Sequence, residues 1–457
     1  MQTIFSKSFL GHLKATSVLS VPIILSQLGH VSVGLADTIF VGQTNSAVQL
    51  AAISLANSLA VVTLVGGIGL SMGLTPLVAK LRGEGDSSQF SALLSNGLLL
   101  NVIFGVVIVL LGFAAEPFFH LLGQSPEVLE RARVVFRLFN LSILPVMFFQ
   151  AFRQFMEGNG YTKGPMWVSI AANVLNIALN YVLVYGKFGM APLGAVGSGT
   201  ATLIARVLMA AGIYILFLSM PSYKAYRIRF SLFQKVRLLS IFRLGYPIGL
   251  QLVFEVGAFS GAALIIGWMG AYSLAAHQIV ISMASVTYMA ASGFGSAATI
   301  RVGYFLGAQS RPDIRQASFA SYFLVIAFML LMALLFVIFK NQLPLLFTKN
   351  PEIIAIASVL IIQAAWFQVA DGTQVVGLGA LRGLQDVKGP TVITGIAYWL
   401  FAIPVGYLLG IVWHMQAMGV WLGLSLGLGV ASITLFLRFI NRTKAISFQT
   451  GATASES

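Results

Sequence analysis

From Leu93 to Ala115 the chain carries no charged side chain, and stretches of similar length and character recur to its end. An α-helix needs about 20 apolar residues to cross a hydrocarbon core of roughly 30 Å. Inside that core no water satisfies backbone N–H and C=O groups, so each run must close its hydrogen bonds internally, as a helix does. This restricts the chain to an all-α integral membrane protein. Apolar stretches broken by short polar or Gly/Pro segments fall at roughly 17–41, 50–79, 93–115, 128–151, 165–186, 195–219, 246–267, 274–304, 316–340, 352–378, 390–413 and 418–440. They predict twelve transmembrane helices.

Composition agrees with that reading. Of 457 residues, 58% are hydrophobic and 9% charged, whereas a soluble domain carries about 25% charged residues to cover its surface. A secreted enzyme, a nucleic-acid-binding domain and a disordered chain are excluded. There is no cysteine, so disulfides, zinc–thiolate sites and thiol nucleophiles are excluded too. The chain has no GxxxxGK[ST] phosphate loop and no HExxH, which argues against direct use of ATP and against a metallohydrolase. No small-residue cleavage site interrupts the first run before it reaches span length, so it is expected to be retained as a helix. The Ser-, Thr- and Ala-rich end, 443–457, is expected to be disordered.

The formal charge of +14, from 27 Lys and Arg against 13 Asp and Glu, reports orientation and not a nucleic-acid partner. With the N-terminus inside, 20 of the 27 basic residues fall on the inner side, among them Lys80, Arg153, Arg243, Arg301, Arg382 and Arg438. That asymmetry places both termini and the central loop in the cytoplasm, and the protein in the inner cell membrane. Arg206 stands within a span and is expected to snorkel or to pair locally.

The two halves repeat. Pro22 and Pro247 open the first span of each half, 225 residues apart. Gly42 and Gly267, Gly158 and Gly383, Lys163-Gly164-Pro165 and Lys388-Gly389-Pro390, and Gly194 and Gly419 keep the same offset. These residue types mark turns and helix starts, so the match lies in the architecture. It predicts two six-helix bundles related by pseudo-two-fold symmetry, 1–220 and 245–442, joined by a cytoplasmic linker at 221–244. Parallel repeats of this kind are a transporter architecture with the cavity between the halves.

Ten of the 13 acidic residues fall in loops or at predicted helix ends. Asp37, Glu255 and Asp371 fall inside spans, where a carboxylate costs about 2.5–3.5 kcal/mol on insertion scales and marks a functional site by default. Glu255 follows Arg243 by 12 residues and Asp371 precedes Arg382 by 11, which puts both roughly 16–18 Å above the inner face. They belong to spans 7 and 10 of one half and are expected to share a proton or a bridging cation. Hard oxygen ligands suit Na⁺ or H⁺ as the coupling ion and not a transition metal; no other cofactor is expected. Asp37, roughly 34 Å along its helix from Lys14, lies nearer the outside in the other half. Asn173, Asn176 and Asn180 recur at helical spacing and form a polar stripe, read either as interhelical hydrogen bonding or as the lining of a site near Asp37. Gln278 and Tyr288 are read either as packing residues or as donors of oxygen or a ring face to a cation. The 34 Phe and 15 Met suit a forgiving cavity, although most face lipid. His30 and His277 are expected to be satisfied by hydrogen bonds.

GLADTIFVG around Asp37, NIALNYVLVYGKFGMAPLGAVGSG, FEVGAF around Glu255, AAHQIVISM, ATIRVGYFLG and FQVADGTQVV around Asp371 resemble multidrug and toxic compound extrusion (MATE) transporters of the NorM-like branch, over essentially the whole chain. The resemblance implies two six-helix lobes around a cleft and export of amphipathic, often cationic drugs in exchange for inward Na⁺ or H⁺. Separately, the protein is expected to act as a monomer. The resemblance also implies that Asp37, Asn176 and Asn180 form a first-lobe polar cluster, and Asp37 is expected to join Glu255 and Asp371 in cation coupling. Glu255 and Asp371 would form a second-lobe cation site, with Tyr288 and Gln278 nearby. Phe367 departs from the pattern, standing where some relatives carry a tyrosine hydroxyl. A lipid-linked-sugar flippase would show a cationic cleft, and a major-facilitator transporter would show GxxxDRxGRR where this chain has AKLRGEGDSS.

Overall fold

The computed structural model describes residues 9–44, 46–226, 228 and 232–446, excepting the side chains at 30, 31 and 62. Arg227, Arg229, the His30 side chain and residues 447–457 of the expected disordered end therefore lie outside the described residues. Among those described, 12 helices are long and apolar enough to cross a membrane. They are α1 (Phe9–Gly42), α2 (Ala47–Glu84), α3 (Phe90–Leu122), α4 (Pro126–Gly158), α5 (Lys163–Tyr185) and α6 (Gly194–Ser219) in the first half. The second half holds α7 (Lys235–Gly267), α8 (Ala271–Gly307), α9 (Arg311–Ile338), α10 (Pro351–Gly383), α11 (Lys388–Val412) and α12 (Gln416–Ala445).

Most of the repeat landmarks are helix boundaries, but Pro22 and Pro247, expected to open their spans, lie inside α1 and α7, and Gly419 lies inside α12, because each helix begins in polar sequence ahead of its apolar stretch. α1 and α7 end on Gly42 and Gly267, α4 and α10 on Gly158 and Gly383, and α5 and α11 start on Lys163 and Lys388. The helices also outrun the predicted spans. α7 begins at Lys235, inside the expected linker, and α12 continues to Ala445, into the expected disordered end. Polar residues need only leave the hydrocarbon, not the helix, so apolar patterning marks the lipid-covered part and underestimates the rest.

Outer faces are apolar, with Leu110, Leu111, Trp366 and Leu400 each more than 60% exposed. Such residues contribute about 0.3–0.6 kcal/mol each to insertion but do not distinguish one helix neighbour from another. Helix pairing instead relies on close backbone approach at small residues. Along the α2–α7 contact, a Cβ on Gly73 would lie 2.6 Å from the Gly245 nitrogen, and Gly69 stands against Gly249. Along α2–α8, a Cβ on Gly83 would overlap the Tyr304 carbonyl oxygen, and one on Gly307 the Lys80 carbonyl oxygen. Leu19 and Ile23 of α1 pack with Ala297 and Ile300 of α8. The lobes therefore meet along one seam, at the end that carries the start of α1 and the start of α7.

Two Gly-x-Ser-x-Gly patterns, at 69–73 and 423–427, sit within helices and not on the strand-to-helix turn that a hydrolase nucleophile needs. The Ser71 hydroxyl donates to its own helix at Ile68 O, 2.6 Å, and the glycines serve packing.

Three basic residues assigned by sequence to the inner loops are buried instead. Arg301 is fully buried, Arg153 is 3% exposed and Arg382 is 9% exposed. Arg301 donates to His12 O at 2.6 Å and Thr16 Oγ1 at 2.8 Å, which ties α8 to α1. Arg153 Nε donates to Glu157 Oε1 at 2.7 Å, so Glu157, read as a helix-end acid, belongs to a buried ion pair. A long side chain that starts near a helix end can turn inward, and charge counting along the sequence cannot register this.

Candidate functional site

In the first lobe, α1 brings Asp37 against α5 and α6. Asn180 Nδ2 donates to Asp37 Oδ1 at 2.7 Å and Thr202 Oγ1 donates to Asp37 Oδ2 at 2.8 Å. Asn176 Nδ2 donates to Thr202 Oγ1 at 3.0 Å, and the Ser198 hydroxyl lies near the carboxylate without a hydrogen-bond partner among the described residues. Asn176 and Asn180, like Ser198 and Thr202, stand four residues apart and share a helix face. Both carboxylate oxygens thus have donors in the absence of any ion. Asn173 does not join them. Its Nδ2 lies against Gly29 of α1 and has no partner among the described residues, because it sits about two turns before Asn180 on α5, away from Asp37. Arg206 pairs locally, donating to Ser142 Oγ at 2.7 Å.

Losing the Asn180 donor leaves a buried anion oxygen unsatisfied, which costs about 1–3 kcal/mol. Asn180→Leu is therefore expected to lower the melting temperature of the purified protein. A melting temperature equal to that of the wild type would show that this bond contributes nothing.

In the second lobe, Glu255 of α7 and Asp371 of α10 line one cavity of about 630 Å³. The same wall holds Tyr288, Gln278 and His277 of α8, with Phe259 and Phe367, and the first lobe closes it through Val61 and Val65 of α2. Cavity and seam occupy successive lengths of the same helices. Val65 precedes Gly69 and Gly73 on α2, Glu255 follows Gly245 and Gly249 on α7, and Tyr288 precedes Gly293 and Gly307 on α8. The cavity thus lies between the lobes, beyond the seam.

Glu255 is held in place through α7 itself. Pro247 lies within that helix and removes a backbone donor. Thr391 Oγ1 donates to the Pro247 carbonyl at 2.8 Å, and Trp399 Nε1 to the Phe254 carbonyl at 3.1 Å. α11 thereby pins α7 on both sides of this stretch. α11 is wound as a π-helix over Ile396–Ala402, just before Pro404, whose missing N–H breaks the regular bonding pattern. Within that π segment, Tyr398 is fully buried and its hydroxyl accepts from Gln374 Nε2 at 2.9 Å.

The two carboxylates differ from Asp37 in their bonding. Glu255 Oε1 and Asp371 Oδ1 are buried without a hydrogen-bond partner among the described residues, as are both amide atoms of Gln368 and the Gln251 Nε2. The Tyr288 hydroxyl approaches Glu255, and Tyr398 lies within electrostatic range of both acids. Phe367 packs edge-on against Trp421 and Phe259, so hydroxyls near the acids come from α8 and α11 in place of position 367. Buried oxygens lacking donors, set among amide and hydroxyl oxygens, fit a hard monovalent cation or protons. His277 accepts from Trp421 Nε1 at 3.2 Å through Nδ1 and is satisfied within the lobe.

Sequence reasoning missed Ser198, Thr202, Gln251, Gln368, Gln374, Tyr398 and the burial of Arg382. Spacing held part of the signal: Gln251 and Glu255 are i and i+4, and Gln368 and Asp371 are i and i+3, which puts each pair on one helix face. Tyr398 left no such trace, because its inward aim depends on the π winding.

The family model described as MatE matches residues 22–182 and again 247–408, once in each lobe. The chain is 33% identical over 430 residues to the multidrug resistance protein NorM of Photobacterium profundum, covering 92% of this chain and 93% of the relative. It is 32% identical to the multidrug resistance protein MdtK of Yersinia pseudotuberculosis, over 94% of this chain and 96% of that one. Among solved structures, an outward-facing multidrug resistance MATE family transporter superposes with a TM-score of 0.89 at 21% identity, covering 97% of this chain and 98% of that one. The eukaryotic MATE transporter AtDTX14 gives 0.86 at 21% identity, covering 94% and 96%. Matched in both lobes by the family model and a third identical to curated relatives along nearly its whole length, the chain belongs to the MatE family, whose multidrug-resistance members are transporters and not enzymes.

Proposed function

We propose that this protein is a cation-coupled antiporter that exports amphipathic, often cationic organic compounds, taking Na⁺ or H⁺ inward as its second cargo. The observation that carries the reading is the cavity wall itself, where Glu255 and Asp371 present buried, unbonded oxygens beside aromatic and aliphatic side chains. An organic cation and the coupling ion then compete for the same negative charge, and each favours release of the other. The names of the relatives support a drug cargo.

In this reading the lobes work by alternating access, with the seam as the part that opens and closes. With the basic residues inward, the lobes are closed on the cytoplasmic side and the cavity faces outward. Opening inward separates α2 from α7 and α8 along the glycine contacts. Asp37, fully supplied with donors, tunes the first lobe and does not serve as the coupling site. The protein acts as a monomer in the inner membrane, both termini cytoplasmic and the two lobes moving about the connection that precedes α7.

Ethidium efflux from vesicles under separately imposed Na⁺ and pH gradients tests the reading. One gradient is expected to drive efflux and to be dissipated faster when ethidium is present. Efflux indifferent to both gradients would refute antiport.

A further inference from the structure

Positions 157 and 382 are equivalents at the 225-residue offset, and they carry opposite charges, Glu157 and Arg382. Each stands one residue before the glycine that ends its helix. Glu157 is neutralised on its own helix by Arg153. Arg382 has no such partner. Its Nη2 donates to Gln251 Oε1 at 3.1 Å, its Nε meets no acceptor, and no carboxylate pairs with it directly, all among the described residues. Gln251 lies one turn before Glu255 on α7, so the guanidinium is held about one turn beneath the second-lobe carboxylates, within electrostatic range of Glu255.

A guanidinium does not give up its charge in a protein, and buried charge has to be balanced. In the first lobe the balance is complete. Asp37 lies within electrostatic range of Arg206, and donors fill both its oxygens. In the second lobe, two carboxylates stand against one guanidinium. With both acids ionised, a single negative charge is left over.

We propose that Arg382 is a built-in counter-charge of the Glu255–Asp371 site, and that it limits the site to one monovalent cation per transport cycle. The inference rests on the antiport reading above. Arg382 is part of the chain, so its charge stays in the protein while the cargo leaves, and Gln251 holds it against the helix that bears Glu255. It also opposes entry of a second cation into a site that two bare carboxylates would otherwise offer.

The test measures binding to the purified full-length protein, with Na⁺ counted by equilibrium binding of the radioactive ion and protons by a pH-sensitive dye. Counts are referenced to the Glu255→Gln/Asp371→Asn variant, which lacks both acids. Wild type is expected to bind one cation at this site. Arg382→Gln is expected to bind a second, or to bind the first about tenfold more tightly, as an unopposed charge would. Arg382→Lys keeps the charge and is expected to match wild type in count. Glu255→Gln/Arg382→Gln restores the single surplus charge and is expected to return to one cation. Wild-type count and affinity in Arg382→Gln would overturn the proposal. Should that variant fail to fold, a changed count in Arg382→Lys, or two cations in the double variant, would do the same. If wild type binds neither Na⁺ nor protons at a site that the reference variant abolishes, the antiport reading itself falls, a result distinct from equal binding by wild type and Arg382→Gln.

Discussion

Glu255→Gln and Asp371→Asn are each expected to reduce gradient-driven ethidium efflux roughly 10- to 100-fold, with the protein still present in the membrane at wild-type level. A hydrogen bond or contact to a charged group contributes about 1.5–3 kcal/mol, and each 1.4 kcal/mol is about a factor of ten in binding. Both acids line the same cavity and both have an oxygen without a donor, so neither can replace the other as a ligand. The amide variants are close to isosteric and remove a buried charge, which separates loss of coupling from loss of packing. Their melting temperatures are expected to equal or exceed that of wild type, because an unpaired buried charge destabilises the fold. Asp37→Asn is a useful contrast, since its site is closed by donors and not open to the cavity. Wild-type efflux from either Glu255→Gln or Asp371→Asn would remove that residue from the coupling site.

Gly83→Ala combined with Gly307→Ala is expected to shift the protein away from the closed-seam conformation. The added methyl groups would meet the carbonyl oxygens of Tyr304 and Lys80, which are backbone atoms and cannot swing aside as a side chain would. Overpacking of this kind costs about 1–3 kcal/mol per site, and two such sites change the ratio of conformations by a factor of ten or more. Ser87 and Ala308 are exposed near the ends of α2 and α8, and the chain has no cysteine of its own. Spin labels on Ser87→Cys and Ala308→Cys therefore report the seam without background. A longer distance is expected in the double-alanine protein, along with efflux impaired by slow return to the outward-facing state. An unchanged distance distribution would show that α2 and α8 are not in limiting contact.

Patterning alone was enough to place the helices, because a hydrocarbon core demands about 20 apolar residues of each span and leaves no other backbone solution. The repeat was legible for a related reason. Gly158 and Gly383, or Lys163 and Lys388, mark helix ends, and end signals are local. Asp37, Glu255 and Asp371 stood out because a carboxylate in an apolar span has few local explanations. Asn176 and Asn180 followed from spacing on one helix, but the same spacing also put Asn173 in the stripe, and only the packing of α5 against α1 shows that it turns to Gly29.

The basic residues mark where local reasoning ends. Arg153, Arg301 and Arg382 occupy sequence positions that suit an inner loop, yet the first is paired within α4, the second reaches across to α1 and the third points toward the second-lobe acids. By itself the sequence determined the solvent, the number of spans, the two-fold repeat and the residues too costly to bury without purpose. Those properties depend on the free energy of single residues against lipid and water. The tertiary structure decided which oxygens have donors, which arginines are inside, and that Glu255 and Asp371 open on one cavity closed by the other lobe. Lipid is as apolar as leucine, so hydrophobicity does not choose helix partners. Contacts between residues distant in the chain do, and these exist only once the helices have packed.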